Sequence, residues 1–399
     1  MSSLSKAANS SAKWAAVAIG FSVPISVALD NMLMLAVLLL WLAGGHFKEK
    51  YEAIAKRPVS LAALALIGML IVGMLYGNSP FKEALDAFGK YIDLLFVPIF
   101  ITIFRDRQAR NHALNAFMSA MMLTLFLSYL VKFGLLHQNA IIQGFAQNPY
   151  VFKLHITQNF FMSFAAFVLG IWCINETDPK KRVIWGILSL LAVINVLFMV
   201  QGRTGYLVVA LLLLYLSISR LGGKGLLIGI AATVLLGAAA YYGSSEFRER
   251  VDLAASEYAH WHSDHATKNT NSIGQRLEFY ANTLEIIRKH PLFGVGTGGF
   301  RQAYAAQVAD TGMLATHNPH NEFLLIQAQL GIPGTILLLL LLFTQWREAG
   351  KLSASGTMLA RGLVITMVSG CLFNSFLLDH AEGLFFAFMT GVLFSWRDE

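Results

Sequence analysis

Twelve apolar segments recur along the chain, and they constrain its fold more than any other feature. A lipid bilayer leaves only helices and closed barrels able to pair every backbone group, and an apolar run of about 20 residues is the length of a membrane-spanning helix. Hydrophobic residues make up 56% of the chain and charged residues 13%, a balance foreign to soluble domains. We therefore expect an all-α polytopic membrane protein with about 12 transmembrane helices. The segments cover residues 14–29, 31–46, 58–76, 89–104, 112–136, 155–175, 183–200, 204–219, 225–243, 320–343, 358–377 and 381–396.

The basic residues of the short connections predict the orientation of the chain, because positively charged loops stay in the cytoplasm. If the N-terminus is cytoplasmic, most of these residues fall in cytoplasmic connections: Lys48, Lys50, Lys56, Arg57, Arg105, Arg107, Arg110, Lys180, Lys181, Arg182, Arg220, Lys224, Arg347, Lys351 and Arg361. The opposite connections and helix ends hold Lys82, Lys90, Lys132, Lys153 and Arg203. Both termini are therefore expected in the cytoplasm. The net charge of +7 is a topology signal and does not indicate nucleic-acid binding.

A long polar segment, residues 244–318, interrupts the pattern of short connections on the outer side, between helices 9 and 10. A connection of this length is typical of a functional loop. Ser272 and Gln275 have the spacing of a capping box, which predicts an amphipathic helix over 273–289. A second short helix is expected over 299–310. The chain then divides into helices 1–9 (1–243), the outer loop (244–318) and helices 10–12 (319–399).

A polar stretch from His317 to Glu322 opens the tenth apolar segment. Polar residues at the mouth of a membrane helix are costly unless they serve a site. We expect Asn318 to cap the helix, which places His320 in the first turn, at the positive end of the helix dipole. That position disfavours the imidazolium, so His320 is predicted to be neutral and able to act as a general base. His317 and Asn321 are expected to contribute to substrate binding.

The alternative for His320 is a polar cap residue that lipid headgroups satisfy. The spacing of the following residues argues against it, because Gln327 and Gly331 follow at i+7 and i+11 and share the face of His320 on a continuous helix. Gln327 is therefore predicted to be a second polar group of the site. Gly331 would permit close packing or the approach of a ligand.

Arg203 lies between two apolar helices, in the sequence Gln201-Gly-Arg-Thr-Gly205. It is either an arginine that anchors the helix at the lipid interface or a clamp for an anion, and we favour the clamp because charged residues within membrane segments are costly. Arg276, near the start of the predicted loop helix, is a further candidate, and a surface arginine is its alternative. The weaker candidates for the same binding role are Arg288, Arg301, Lys90 and Lys153.

Three other motifs carry less weight. The loop Gly294-Val-Gly-Thr-Gly-Gly299 has the letters of a dinucleotide-binding turn but follows a helix, so we expect a turn at the membrane surface, with N–H groups near Gly298 and Gly299 that could contact a phosphate. The histidines of residues 260–265 lack partners at a metal-binding spacing, and no metal site is predicted. Asn374 and Asp379-His380-Ala-Glu382 either orient the site or form an ordinary loop.

Residues 200–335 resemble the O-antigen ligase family, within the superfamily that also contains the O-antigen polymerases. The family pattern is His, then Asn, Ser or Gln, nine residues, Gly, two residues, and Gly, Thr or Tyr. This sequence matches it in full, with His320-Asn321, nine residues, and Gly331-Ile-Pro-Gly334. The motif around Arg203, the loop arginine Arg276 and the run His290-Pro-Leu-Phe-Gly-Val-Gly-Thr-Gly-Gly-Phe300 also resemble the family.

The resemblance implies a membrane glycosyltransferase of the GT-C type with a large helical periplasmic loop, in the bacterial inner membrane. The donor would be O-antigen glycan on undecaprenyl pyrophosphate, and the acceptor a sugar hydroxyl of the lipid A–core. His320 would be the general base, and Arg203 and Arg276 would bind the pyrophosphate in an inverting reaction without a metal or other cofactor.

Two alternatives stay open. An O-antigen polymerase would perform the same chemistry with a second glycan as acceptor, although the complete histidine pattern favours a ligase. A lipid or glycan transporter would place its polar residues near the bilayer midplane, whereas the candidate residues of this chain gather at the outer face.

Overall fold

A computed structural model describes residues 3–263, 272–309 and 311–395, and the regular elements in these ranges are helices. They are α1 (Ser3–Ser22), α2 (Val27–Ala43), α3 (Phe47–Ala55), α4 (Pro58–Tyr76), α5 (Phe81–Lys90), α6 (Phe96–Ile103), α7 (Arg107–Lys132), α8 (His155–Asn175), α9 (Pro179–Ile194), α10 (Arg203–Leu221), α11 (Gly223–Gly243), α12 (Ser245–Ser263), α13 (Ser272–Lys289), α14 (Phe300–Gln307), α15 (Glu322–Ala349), α16 (Ala354–Cys371) and α17 (His380–Phe394). A 3₁₀ turn, Ile92–Leu95, precedes α6, and a π-helical turn, Asn195–Met199, follows α9.

Each of the twelve predicted apolar segments overlaps a helix. Among the residues that the structure describes, eight helical stretches are long and apolar enough to cross a bilayer: α4, α7, α8, α9 with its π-helical turn, α10, α11, α15 and α16. A ninth span results if α2 and α3, which are bent by 115° at the break between them, cross together. The all-helical polytopic architecture is confirmed, and the full number of twelve spans stays a prediction.

The core is built from the paired helices and is rich in phenylalanine. α4 packs against α15, α6 against α17, α1 against α2 and α7, and α8 against α9 and α10. Phe385 of α17 stacks with Phe161 of α8 at a ring-centroid distance of 4.9 Å and with Phe117 of α7 at 5.4 Å. α8 and α17 therefore form the centre of the bundle, and α9 to α11 lie at its side.

The outer segment contains three helices. The predicted helices 273–289 and 299–310 are confirmed as α13 and α14, and α12 continues from α11 where the sequence predicted no helix. α13 packs on α15, so the loop lies against the membrane bundle. The histidine cluster 260–265 lies outside the residues whose side chains the structure describes, and the division of the chain at 243 and 318 stays a prediction.

α15 is broken at Gly331, whose φ of 63° is left-handed. Pro333 lacks an N–H, so the carbonyl of Gln329 has no helical donor. The loop after α13 replaces the lost bonds: Val295 N–H donates to the Ala328 carbonyl at 2.9 Å, and Gly296 N–H donates to that of Gln329 at 2.8 Å. The glycine loop, residues 294–299, therefore supplies N–H donors to the carbonyls that the break in α15 leaves without helical partners.

The same loop excludes the dinucleotide alternative. Gly298 N–H donates to the side-chain oxygen of Gln329 at 2.8 Å, and Gly299 N–H donates to the Gly296 carbonyl at 3.0 Å. The expectation that these two N–H groups could contact a phosphate is wrong, because both are used within the protein. Thr297 N–H donates to the Gly73 carbonyl of α4 at 3.1 Å. The loop therefore forms hydrogen bonds with both α4 and α15.

Candidate active site

His320 lies in the connection before α15 and not in its first turn. The helix is capped by Asn321, whose side chain accepts from the Leu324 N–H at 3.0 Å. The predicted cap at Asn318 is therefore wrong by three residues. The argument that placed Gln327 and Gly331 on the face of His320 is also wrong, because His320 precedes the helix.

The backbone of His320 is held from both sides. Its φ of 56° is left-handed, which is uncommon for a residue other than glycine. Its N–H donates to the Asn318 side-chain oxygen at 2.8 Å, and its carbonyl accepts from the Tyr280 hydroxyl at 3.1 Å. The imidazole stacks on Phe279 at a centroid distance of 6.1 Å. Such over-determined strained residues concentrate at functional sites.

The environment of His320 keeps its imidazole neutral. Burial, the positive charge of Arg276 and the neighbouring His317 together lower the pKa of His320 to about 4, and burial is the largest of the three causes. The predicted lowering of the His320 pKa is confirmed, but its cause is desolvation and a nearby cation rather than a position in the first turn of a helix. An imidazole of this kind can accept a proton at neutral pH.

Arg276 supplies the cation beside the histidine. It is half-buried on α13, one turn before Tyr280. Burial lowers the pKa of Arg276, the Tyr280 hydroxyl opposes that shift, and the charge of Arg203 lowers the pKa further. The two arginines that lie 73 positions apart in the sequence are thus close enough to interact. Two neighbouring guanidinium groups suit a doubly charged anion.

Arg203 is the first residue of α10, after the π-helical turn. The side chain of the fully buried Asn159 donates to the carbonyls of Val200 and Gly202 at 2.9 and 3.3 Å. A Cβ on Gly202 would lie 2.6 Å from the Asn159 side-chain nitrogen. The glycine beside the arginine therefore admits Asn159 rather than a ligand, and Asn159 fixes the turn that presents Arg203.

The connection between α16 and α17 contacts both the start of α10, which carries Arg203, and the segment before α15, which carries His320. Asn374 donates to the Thr204 hydroxyl at 3.1 Å, next to Arg203, and Ser375 donates to the Asn318 side chain at 2.7 Å. The Leu372 carbonyl accepts from Tyr280 at 3.2 Å and from Asn321 at 3.0 Å. The sequence left the role of Asn374 open and gave no indication of Ser375. These contacts make the connection between α16 and α17 part of the scaffold of the site.

One part of the chain is similar to a known protein family. Residues 187–339 match the family model described as O-antigen ligase.

This part of the chain is similar to the O-antigen ligase family.

The matched region contains Arg203, Arg276 and His320, and it supports a membrane enzyme of the O-antigen ligase or polymerase type. An uncharacterized protein of Haemophilus influenzae is 26% identical over 262 residues. The alignment covers 63% of this chain and 63% of that relative.

Three other predicted binding residues, Lys90, Arg301 and His317, line one cavity. Burial lowers the pKa of His317, and the charges of Lys90 and Arg301 lower it further. The structure therefore brings these three residues together, and His317 is the one that lies three positions before His320.

The remaining predicted binding residues have protein partners. Lys153 is 8% exposed and forms an ion pair with the buried Asp30 at 3.5 Å. Arg288 is 74% exposed and pairs with Glu285. Gln327 donates to the Pro291 carbonyl at 3.3 Å and accepts from Thr335. Gln327 and Thr335, both within the matched region, therefore form a hydrogen bond across the break in α15.

The acidic residues near α17 are also structural. His380 lies 3.0 Å from Asp93 through its Nδ1, and Glu382 is buried. Glu322, at the start of α15, accepts from the Tyr91 hydroxyl at 2.8 Å and the Leu377 N–H at 2.9 Å. Between residues 3 and 395, outside the two undescribed gaps, no three His, Cys, Asp or Glu residues are grouped as a metal site requires.

Proposed function

We propose that this protein is a bacterial inner-membrane O-antigen ligase that works at the periplasmic face. It transfers a glycan from undecaprenyl pyrophosphate to a sugar hydroxyl of the lipid A–core, and it inverts the anomeric centre. The observation that carries the proposal is the neutral, half-buried imidazole of His320 beside Arg276, which in turn neighbours Arg203.

Each group has one task in this reaction. The imidazole of His320 takes the proton of the acceptor hydroxyl while that oxygen bonds to the anomeric carbon of the donor. The bond between this carbon and the pyrophosphate oxygen breaks, and the electron pair leaves with the pyrophosphate. Arg203 and Arg276 stabilise the charge of the leaving group. Pyrophosphate is a good leaving group, so positioning, charge and one base are sufficient.

An O-antigen polymerase would use the same groups with a second glycan as acceptor. The complete spacing from His320 to Gly334 favours the ligase. The direct test supplies purified protein with lipid-linked glycan and either lipid A–core or a second lipid-linked glycan, without an energy source. Transfer to lipid A–core supports the ligase, and chain growth on the second glycan would make the protein a polymerase.

Substitutions at the site test the roles. Arg203→Ala and Arg276→Ala should each reduce transfer by a factor of about 10 to 100, because a lost charge-assisted contact costs roughly 1.5–3 kcal/mol. Lysine should restore transfer only in part, since a point charge lacks the guanidinium fork. His320→Ala should lower the rate by about 10²–10⁴ and leave donor affinity intact. The control is Arg347→Ala, an exposed arginine at the opposite end of the bundle. Normal transfer by both arginine variants would place the pyrophosphate site elsewhere.

The reaction is proposed to need no metal, because two arginines can neutralise the diphosphate. Transfer should therefore continue in excess EDTA. Loss of activity in EDTA that magnesium or manganese restores would contradict this part of the proposal.

A further inference from the structure

The short helix α5 carries an apolar stripe that faces away from the protein. Phe81, Leu85 and Phe88 follow one another at i, i+4 and i+7, so they share one side of the helix. Phe81 is 69% exposed and Leu85 is 48% exposed, while Phe88 packs against the edge of the core. Large apolar side chains that are exposed together on one side of a helix indicate a contact surface.

The other two sides of α5 face the protein and a cavity. Ala84 is buried against the glycine loop, where a Cβ on Gly298 would lie 2.8 Å from the Ala84 Cα. Glu83, Asp86 and Lys90 line the cavity that His317 also lines. The apolar stripe is therefore the side of α5 that the described residues leave uncovered.

The glycine loop fixes the level of α5 relative to the membrane helices. Thr297 N–H donates to the Gly73 carbonyl of α4, and the next residue, Gly298, packs on Ala84 of α5. α5 therefore lies beside the last turns of α4 instead of extending beyond them. Leu75, in the last turn of α4, is 79% exposed on a helix that is long and apolar enough to cross a bilayer, so lipid covers it. The stripe of α5 thus lies at the depth where lipid covers the end of α4.

The charged residues of α5 indicate which part of a lipid holds it. Lys82, Glu83, Asp86 and Lys90 carry two positive and two negative charges, so the helix has no net charge that would attract an anionic headgroup. Helices at a membrane surface are held by buried apolar area together with attraction to anionic lipids. For α5 the apolar area is the contribution that remains.

We infer that α5 is a membrane-surface helix, with Phe81 and Leu85 inserted at the boundary between the acyl chains and the headgroups of the adjacent leaflet. The contact sets the depth of the cavity wall, because Glu83, Asp86 and Lys90 belong to the same helix. This inference goes beyond the proposed function and does not depend on the reaction.

Spin labels on single cysteines measure the depth of α5. The labels are placed in a variant with both native cysteines replaced by alanine, and the protein is reconstituted in nanodiscs of phosphatidylethanolamine and phosphatidylglycerol. Oxygen concentrates in the bilayer and a nickel chelate in water. The ratio of oxygen to nickel collision rates should therefore be several-fold higher for Phe81→Cys and Leu85→Cys than for Lys82→Cys. Lys82 is the matched control because it is exposed on the polar side of the same helix, and Leu75→Cys gives the reference for lipid.

Three results would overturn the inference. Ratios for Phe81→Cys and Leu85→Cys that match Lys82→Cys would place the stripe in water. Low collision rates with both reagents would mean that protein, such as a second copy of this chain, covers the stripe. In nanodiscs of phosphatidylcholine alone the ratios should be unchanged, and a fall at Leu85→Cys would assign the contact to Lys82 and Lys90 instead of the apolar side chains.

Discussion

At the scale of the residue, the proton affinity of His320 depends on its neighbours rather than on its secondary structure. Its imidazole is packed against Phe279 and exposed to the charge of Arg276, and burial is the larger cause of its lowered pKa. A bound pyrophosphate would offset the charge of Arg276. The base is therefore expected to become stronger when the donor is present.

The pH dependence of transfer follows from this. The imidazole acts as a base only when neutral, so activity is present above its pKa and is lost as the pH falls through it. With a pKa of about 4 in the free protein, kcat/KM should be constant down to about pH 5 and fall near pH 4, whereas the fall in kcat should lie at higher pH. Rates and intrinsic fluorescence should be measured together, so that unfolding is recognised. A fall in kcat/KM near the ordinary histidine value of about 6.5 would contradict the desolvated site.

At the scale of the element, the broken α15 and the glycine loop form one unit. The Ile332 N–H donates to the carbonyls of Pro291 and Leu292 at 3.2 and 3.1 Å, instead of to its own helix. A Cβ on Gly331 would lie 2.2 Å from the Leu292 carbonyl oxygen. Glycine is required at this position both for its left-handed φ and for this close approach.

Gly331→Ala should therefore destabilise the protein. The left-handed conformation alone costs an alanine roughly 1–2 kcal/mol, and the contact with Leu292 adds to it. The control is Gly68→Ala in α4, where a Cβ has no neighbour within 4 Å and helix propensity favours alanine. Thermal unfolding in detergent should show a lower midpoint for Gly331→Ala and an unchanged or higher one for Gly68→Ala. Equal midpoints would mean that the loop does not support the helix.

The sequence predicted the helices well and the site in part. Hydropathy locates α4 and α8 to the residue, because membrane-spanning helices are long and uniformly apolar. It misplaced the start of α15 by three residues, since Asn318 and Asn321 are equally good caps by residue type and only the tertiary contact of Asn318 with Ser375 decides between them. Lys153 also looked available, and its partner Asp30 lies 123 positions away. Contacts at such distances leave no periodic pattern in a single sequence.

At the scale of the whole molecule, the site and the basic connections lie at opposite ends of the bundle. At one end, the connection between α16 and α17 contacts Thr204, which follows Arg203, and also contacts Asn321. At the other end, Arg220 donates to Asn175, which donates to Ser355. This separation agrees with the alternation of the basic residues along the chain, and positive connections on the cytoplasmic side would place the site in the periplasm.

Cysteine labelling tests this orientation. In a variant with Cys173 and Cys371 replaced by alanine, Ser256→Cys in α12 should react with a membrane-impermeant maleimide in intact cells. Ser353→Cys, the N-cap of α16, should react only after the membrane is permeabilised. The reverse pattern would place the proposed active site in the cytoplasm and remove the periplasmic reaction.

The left-handed backbone of His320 opens a route to chemical complementation. At a φ of 56° glycine is unstrained, whereas alanine is not, so His320→Gly should keep the chain path and leave a vacancy beside Phe279. Free imidazole in the buffer is small enough to occupy that vacancy and serve as a diffusible base. Its addition should restore part of the transfer rate in His320→Gly and less in His320→Ala, with saturation as the vacancy fills. A rate independent of imidazole in both variants would argue that residue 320 supplies shape and not a proton acceptor.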